Sequence, residues 1–405
     1  MSLFMSTRDQ NYFQEKLQSE MERRGVSALL LTQPESVFYA TGYMGCMNYR
    51  FRRCGNCVAV VPAHGPVELI ISQFEHGGAL EQTRGSVKIR TFPVWIYVED
   101  FDDGAETRKE TQPDPLKTFK LAVDALKELG VCGKVGVERS DIPYDKYRYL
   151  VEAVGEDNLV ECASLLTACK MIKNQWEIDI CRYSAEVAQK VMEGVMKYTQ
   201  EGMSECDLVG KFTSLAYEIT GGHELCKVNN VHTVGPNYWA TYIPREYKLK
   251  KGDIVRLDGG VQVYGYLSDL ARTYAVGEEV ADDKKAIFDA LLAGYDRGMA
   301  MAGPGVKLSE LFNEVLAVIR GRGYDTYIRG HFGHTTGSGL TEDYPFIAPD
   351  STETMKPGMV FCLETPFYGS IHHSYNIEDE FLVTENGIEL FTHTNRSLLV
   401  SQMGL

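Results

Sequence analysis

The fold of the second half of this chain is decided by one stretch, Leu257–Tyr274, which reads LDGGVQVYGYLSDLARTY. Its valines and tyrosines favour β-structure, and its glycines allow tight turns, so it is predicted to form two short strands turned back on each other. Each strand carries one carboxylate, Asp258 and Asp269. An ionised carboxylate is costly to bury without a cation or hydrogen-bond donors beside it. The hairpin is therefore either part of a ligand site or a surface turn with two solvated aspartates.

The composition of the chain narrows the classes of function that it can serve. At 405 residues it is long enough for two or three domains with well-filled cores. Its net charge of -15 argues against nucleic acid or an anionic membrane as a partner, because those contacts need clustered cations. No segment has the apolar length of a membrane span, and the ten cysteines lack framework spacing. We therefore expect a cytoplasmic protein with reduced thiols.

Helical and strand patterns alternate along the first part of the chain. Helices are predicted over Arg8–Gly25 and Leu116–Leu129, and strands over Ala28–Leu31, Val58–Val61, Val67–Ile71 and Lys134–Val137. This alternation predicts a small α/β domain over residues 1–165. Residues 166–405 have a different pattern, in which two helices, a group of strands, two more helices and further strands follow one another. That order predicts an α+β domain with helices covering one face of a mostly antiparallel sheet.

Three further acid or imidazole groups lie in the last predicted strands. His334 lies in the glycine-rich segment GHTTGSG, Glu364 ends an apolar run, and Glu378 lies in the segment YNIEDEFLV at 375–383. Taken singly, each of these residues is more often structural. Together with the two hairpin aspartates they offer four carboxylates and one imidazole, enough to neutralise two divalent cations. Such oxygen-rich donors with one nitrogen suit manganese, cobalt, iron or zinc better than calcium.

The sequence then resembles a known family, the pita-bread metallopeptidases, which include methionine aminopeptidase, aminopeptidase P, prolidase and creatinase. The motifs that carry the resemblance are KGDIVRLDGG at 251–260, GYLSDLART at 265–273, Gly333-His334, GMVFCLETP at 358–366 and Ile377-Glu378-Asp379. Weaker similarities in the first half, such as VGVE at 135–138, match the creatinase and prolidase N-terminal domain. The resemblance implies a curved, helix-covered antiparallel sheet of the pita-bread fold over 166–405, preceded by a creatinase-type α/β domain.

The resemblance also implies roles for individual residues. The expected ligands of a dinuclear site, with manganese as the first choice and cobalt, zinc or iron as alternatives, are Asp258, Asp269, His334, Glu364 and Glu378. Glu364 is expected to act as general base on a hydroxide held between the two ions. The implied activity is a metal-dependent hydrolase of the Xaa-Pro peptidase and creatinase-like group, which cleaves a C–N bond in a peptide or small amide. A homodimer is implied as well.

The sequence departs from the family at three substrate-side positions. Thr241 and Thr341 stand where the peptidases have histidines, and Asn376 stands where they have an arginine. Losing such a hydrogen-bond donor typically costs on the order of 100-fold in rate. His331, in the same segment as His334, is the best candidate replacement, and Tyr242 is expected beside the two threonines at the substrate. Two alternatives stay open: a metal-using lyase or amidohydrolase for a small zwitterion, and a non-catalytic peptide-binding module.

Overall fold

The computed structural model describes residues 3–93, 114–222, 225–234, 243–339, 344–369 and 373–401, with side chains for all of these except 3, 4 and 225–234. The chain divides into two compact units, Met1–Lys170 and Met171–Leu405. The predicted boundary after residue 165 lies inside the helix Ala163–Met171. Across the described ranges, no helix combines the length and the apolar character that crossing a membrane requires.

The first unit is an α/β domain, as predicted. Its helices are α1 (Leu3–Thr7), α2 (Gln10–Arg24), α3 (Pro34–Thr41), α4 (His76–Thr83), α5 (Lys117–Glu128), α6 (Tyr144–Val154) and α7 (Ala163–Met171). Its strands are β1 (Val26–Leu31), β2 (Val58–Pro62), β3 (Glu68–Ser72), β4 (Lys88–Phe92), β5 (Lys134–Val137) and β6 (Leu159–Glu161). Within the described part of the unit they form one mixed sheet in the order β4-β3-β2-β1-β5-β6.

Helix α2 illustrates how the local sequence sets these elements. The Asp9 side chain accepts a hydrogen bond from the Asn11 backbone N–H at 3.0 Å and so caps the first turn. Phe13, Leu17 and Met21 form its buried stripe. Gly25 ends the helix in the left-handed conformation at φ 66°, which glycine adopts without strain. The helix therefore spans Gln10–Arg24, within the predicted range Arg8–Gly25, and Asp9 and Gly25 set its two ends.

The second unit combines four helices with eleven strands among the residues described. The helices are α8 (Gln175–Tyr198), α9 (Glu205–Thr220), α10 (Asp282–Met301) and α11 (Leu308–Gly321). The strands are β7 (Leu225–Val234), β8 (Ile254–Val263), β9 (Tyr266–Leu267), β10 (Leu270–Ala275), β11 (Gly333–Thr335), β12 (Val360–Glu364), β13 (Phe367–Gly369), β14 (His373–Tyr375), β15 (Glu378–Thr384), β16 (Gly387–Leu390) and β17 (Leu399–Val400).

The main sheet of this unit is almost entirely antiparallel. Its central order is β11-β12-β15-β10-β8-β7, with β16 added beside β15, β9 beside β8, and β17 running parallel to β10. Strands β13 and β14 form a separate two-stranded sheet. Helices α10 and α11 pack on one face of the main sheet, where Phe361, Leu363 and Phe381 join their apolar side chains in one core. This arrangement confirms the predicted pita-bread fold.

The predicted hairpin is present, with one more turn than the sequence pattern indicated. Strands β8 and β10 pair antiparallel, and β9 lies between them in the chain. Tyr264 and Gly265 make the turn at positive φ values of 47° and 82°. At Gly260 the two strands approach so closely that a Cβ atom would lie 1.9 Å from the Ser268 carbonyl oxygen, so only glycine fits.

Candidate metal centre

The register of four strands brings three of the predicted carboxylates into one row across the sheet. Ala271 pairs with Asp258 on one side and with Glu378 on the other, and Glu378 pairs in turn with Glu364. Directly paired residues of antiparallel strands project from the same face of a sheet. Asp258, Glu378 and Glu364 therefore share one face, opposite the face that carries Phe361 and the helices.

A second row lies beside the first on the same face. Asp269 precedes Ala271 by two residues, which returns its side chain to the side of the cluster. Glu380 accepts a hydrogen bond from the Asp269 backbone and pairs with Cys362. Cys362 pairs on its other side with His334. The five predicted ligands thus lie on one face of four neighbouring strands and of β11, and Cys362 lies among them.

The donor atoms form two groups that share Glu378. One oxygen each from Asp258, Asp269 and Glu378 lie within 4.8 Å of one another, and the same limit holds for one donor atom each of His334, Cys362 and Glu378. Glu364 joins these groups through the amide of Asn376, whose Nδ2 lies 3.3 Å from Glu364 Oε2. The spacing allows cations to be held between several donors at once.

The electrostatics of the cluster favour bound cations. Burial, followed by repulsion from Asp269, Glu364 and Asp258, raises the pKa of Glu378 well above its ordinary value. Burial likewise raises the pKa of Glu380 to about 8. Concentrated buried carboxylates are costly unless cations compensate them. Carboxylate oxygens with one imidazole are also ligands that divalent transition metals accept, so these residues fit a metal pair.

Asn376 lies at the centre of the carboxylates. Its amide nitrogen lies 3.2 Å from Asp258 Oδ2, 3.3 Å from Glu364 Oε2 and 3.5 Å from Glu378 Oε2. An amide NH₂ carries two hydrogens, so it links these carboxylates as a donor but adds no charge. Its Oδ1 atom is buried without a hydrogen-bond partner among the described residues.

Two arginines supply the positive charge around the cluster. Arg256 Nη1 lies 2.8 Å from Asp258 Oδ2 and 3.2 Å from the Tyr368 hydroxyl. Arg329 Nη2 lies 2.9 Å from Glu364 Oε1. Burial disfavours the charged form of Arg329, but Glu364 and Tyr368 outweigh that penalty and raise its pKa. The Tyr368 ring lies under both guanidiniums, at 4.9 Å from Arg256 and 5.8 Å from Arg329.

The two histidines of the segment before and within β11 have different environments. His334 Nδ1 lies 3.1 Å from the Thr335 carbonyl, which assigns the ring proton to Nδ1 and leaves the Nε2 lone pair 3.8 Å from Glu378 Oε1. His331 Nδ1 accepts from the Gly333 N–H at 3.3 Å and lies 3.4 Å from Glu364 Oε1. In the neutral His331 ring the proton is then on Nε2.

Not every residue singled out in the sequence can be located. Thr241, Tyr242 and Thr341 lie outside the described residues. The five expected ligands and His331 are brought together. Sequence reasoning missed Arg256, Arg329 and Cys362. A signal existed for Arg256 and Cys362, since each precedes an expected ligand by two residues in a strand and so shares its face; Arg329 lies outside the strands and had none.

The chain was compared with known protein families and proteins. The model of "Metallopeptidase family M24" matches residues 179–385, and that of "Creatinase/Prolidase N-terminal domain" matches residues 14–172. An "Uncharacterized peptidase YqhT" of Bacillus subtilis is 25% identical over 390 residues, covering 95% of this chain and 99% of the relative. A "Xaa-Pro dipeptidase" of Pyrococcus horikoshii is 25% identical over 345 residues, covering 84% of this chain and 94% of the relative.

A solved structure shares the fold over its whole length. The "Xaa-Pro dipeptidase from Bacillus anthracis" superposes with a TM-score of 0.80 at 22% identity, covering 97% of this chain and 100% of the other. This similarity extends across both units of the chain, each of which also matches its own family model.

Proposed function

Since the chain belongs to metallopeptidase family M24, as its motifs predicted, we propose that it is a metal-dependent dipeptidase acting on Xaa-Pro and similar short substrates with a free carboxylate. The observation that carries the proposal is the meeting of four carboxylates and one imidazole on one face of the sheet. The Pyrococcus horikoshii relative and the Bacillus anthracis structure, both named Xaa-Pro dipeptidases, support the substrate class.

The proposed ligands of two divalent cations are Asp258, Asp269, His334, Glu364 and Glu378. Manganese is the first choice for a set dominated by carboxylate oxygens, and cobalt, zinc or iron are the alternatives. When bound, such ions polarise a substrate carbonyl and lower the pKa of a water molecule. The hydrogen bond from His334 Nδ1 to the Thr335 carbonyl, which turns Nε2 toward Glu378, and the burial of Glu378 among other carboxylates support the assignment of both residues as ligands.

Glu364 is the proposed general base, with one of its carboxylate oxygens receiving the proton of the attacking water. Arg329 at 2.9 Å and Asn376 at 3.3 Å hold this carboxylate in one orientation. His331 is the proposed donor to the substrate carbonyl oxygen, because its Nδ1 accepts from Gly333 and its Nε2 carries the proton. We propose that Thr241 and Thr341 line the substrate together with Tyr242. These threonines cannot donate the hydrogen bond that histidines at their positions would donate, and His331 would donate it instead.

Arg329 and Arg256 favour a substrate whose carboxylate lies close to the reacting bond. Two divalent ions would balance the four carboxylates of the cluster, so the charges of the two guanidiniums would make the potential beside them positive and favour an anion. In a dipeptide the terminal carboxylate is one residue from the scissile bond. The side chain of Arg329 is 18% exposed, against 1% for Arg256, so Arg329 is the residue accessible to that carboxylate.

A second candidate is a hydrolase or lyase for a small amide zwitterion. The observation in its favour is the neutral Asn376 at the position where the resemblance puts an arginine, since a changed charge at the centre of the site favours a changed substrate. Arg329 would hold the carboxylate of such a zwitterion as well. The two candidates therefore differ in their scissile bond and share the ligand set.

A substrate panel on metal-loaded protein tests the proposal. Protein stripped by a chelator and reloaded with manganese is expected to hydrolyse Xaa-Pro dipeptides and to act poorly on their C-terminal amides and on longer peptides. Asp269→Asn should abolish turnover and metal uptake, whereas Glu385→Gln, an exposed change in the same unit, should alter neither. No metal uptake by the unaltered protein would refute metal dependence, and turnover of small amides alone would favour the second candidate.

We also propose that the protein acts as a homodimer in the cytoplasm. The family resemblance supports the dimer, and the cysteines support a reducing compartment, since none whose side chain is described forms a disulfide. Light scattering after size-exclusion chromatography would test the dimer, because a monomer has half the mass of a dimer.

A further inference from the structure

Cys362 occupies a central position in the second row of the candidate metal centre. It lies in the middle of β12, is fully buried, and precedes Glu364 by two residues, so both side chains project from the same face. Its partners across the two neighbouring strands are His334 and Glu380. A thiol at this position therefore lies beside two expected ligands, His334 and Glu364.

The spacing of three donors matches the size of a cation site. The donor atoms of His334, Cys362 and Glu378 lie within 4.8 Å of one another. Ligand bonds of about 2.0–2.3 Å in a tetrahedral site separate the ligand atoms by roughly 3.3–3.8 Å. The measured distance from His334 Nε2 to Glu378 Oε1 is 3.8 Å. A cation would need only small side-chain movements to bind all three.

Among the residues that the structure describes, the thiol makes no strong hydrogen bond that would explain its position among these groups. Its Sγ lies 3.5 Å from the Asp269 carbonyl oxygen and 3.9 Å from Glu380 Oε1, both long contacts of a weak donor. His334, in contrast, is held by the Thr335 carbonyl at 3.1 Å through its other ring nitrogen. A carbonyl behind a histidine in this way is the usual orienting partner of a metal-binding imidazole.

From this geometry we propose that Cys362 is a thiolate ligand, together with His334 and Glu378, of one of the two cations. The inference rests on the proposed function, because it adds a ligand to the same centre. It makes one end of the centre a sulfur, nitrogen and oxygen site, while Asp258, Asp269 and Glu378 form an all-oxygen end.

Binding requires the thiol to lose its proton. The S–H bond breaks, the proton passes to solvent, and a sulfur–metal bond forms without any change of oxidation state. A bound divalent cation favours the thiolate, because it stabilises the negative charge on the sulfur.

A thiolate changes which metal the centre prefers. Manganese favours oxygen ligands, whereas sulfur ligands favour zinc and other softer ions. The sulfur-containing end of the centre is thus expected to select zinc or cobalt over manganese. The all-oxygen end keeps its affinity for harder ions.

Cobalt titration provides a readout that is independent of activity. A thiolate bound to Co²⁺ gives a near-ultraviolet charge-transfer band that carboxylate and imidazole ligands do not give. The chelator-stripped protein is expected to develop this band as cobalt binds. Cys362→Ser should lose the band and still show the visible bands of bound cobalt. Cys181→Ser, a change at another buried cysteine of the same unit, should keep it.

A competition experiment measures the consequence for metal choice. In dialysis against zinc and manganese together, Cys362→Ser is expected to lose about tenfold or more in zinc affinity, with manganese affinity changed by less than about twofold. If the unaltered protein binds cobalt without a charge-transfer band, Cys362 is not a thiolate ligand, and the proposed function stays intact. This result needs only the unaltered protein, so it holds even if the variant fails to fold. Failure to bind any metal would overturn both.

Discussion

The buried carboxyl group of Glu380 should make the metal-free protein lose stability as the pH rises. Its side chain is fully buried, with Oε1 accepting from the Thr336 hydroxyl at 2.7 Å, and burial raises its pKa from 4.5 to about 8. The folded protein therefore binds this proton more tightly than the unfolded chain does. The stabilisation is complete below pH 4.5 and is lost as the pH rises through about 8.

The size of the effect follows from that shift. Each pKa unit corresponds to about 1.4 kcal/mol, so the rise from 4.5 to about 8 amounts to about 5 kcal/mol of unfolding free energy. Glu380→Gln keeps the acceptor for Thr336 and removes the titration. Relative to this variant, the unaltered protein should lose about 1.4 kcal/mol per pH unit between pH 5 and 8.

Urea unfolding in the presence of a chelator, repeated at pH 5, 6, 7 and 8, measures this difference. The exposed change Glu385→Gln serves as the control and should follow the unaltered protein at every pH. A difference between the unaltered protein and Glu380→Gln that stays constant from pH 5 to pH 8 would refute the reasoning. The folded carboxyl group would then be ionised throughout, in spite of its burial.

Two substitutions test the substrate-side residues. Arg329→Gln should raise the KM for a dipeptide about 10-fold or more, because a charge-assisted hydrogen bond contributes about 1.5–3 kcal/mol, and should change the KM of the dipeptide amide much less. The exposed Arg297→Gln serves as its control and should leave both KM values unchanged. Equal increases in KM for the dipeptide and its amide would contradict the assignment of Arg329 to the substrate carboxylate. His331→Gln should lower kcat on the order of 100-fold with little change in KM or metal content; an unchanged kcat would remove His331 from the chemistry.

The fold was predictable where the chain carries its own start and stop signals. Ser204 followed three residues later by Asp207 is a sequence pattern typical of a helix start, and the structure has the full capping box there at the start of α9. Helix α3 has Pro34 at its start and Gly42 at its end but was not predicted, because every residue of Pro34–Thr41 is buried and no polar face produces a helical period. The pairing of β17 with β10 could not be predicted either. Strand β17 has only two residues and begins 124 positions after β10 ends, so no local sequence pattern links the two strands.

The residues of the candidate centre could be predicted from the sequence. Which of them lie together depends on the register of the paired strands, which the sequence pattern does not determine. The sequence identified Asp258 and Asp269 as a pair, but their grouping with Glu378 depends on which residues of β8, β10 and β15 face each other. A slip of one residue would turn Glu378 to the opposite face, where Asp379 now lies. There Arg272 and Arg396 each approach Asp379 to 2.6 Å, so the two adjacent acids have opposite partners and separate roles.

Asn376 stands where the family resemblance places an arginine, and the charges around it explain how the site accommodates a neutral residue there. Its amide reaches three carboxylates but is neutral, so the positive charge that the family resemblance places there has to come from elsewhere. Arg256 supplies it from β8 in a buried position against Asp258, and Arg329 supplies it at the more exposed side against Glu364. Under the proposed function, Arg329 is therefore the cationic group that bears on the choice of substrate, because it is the more exposed of the two arginines.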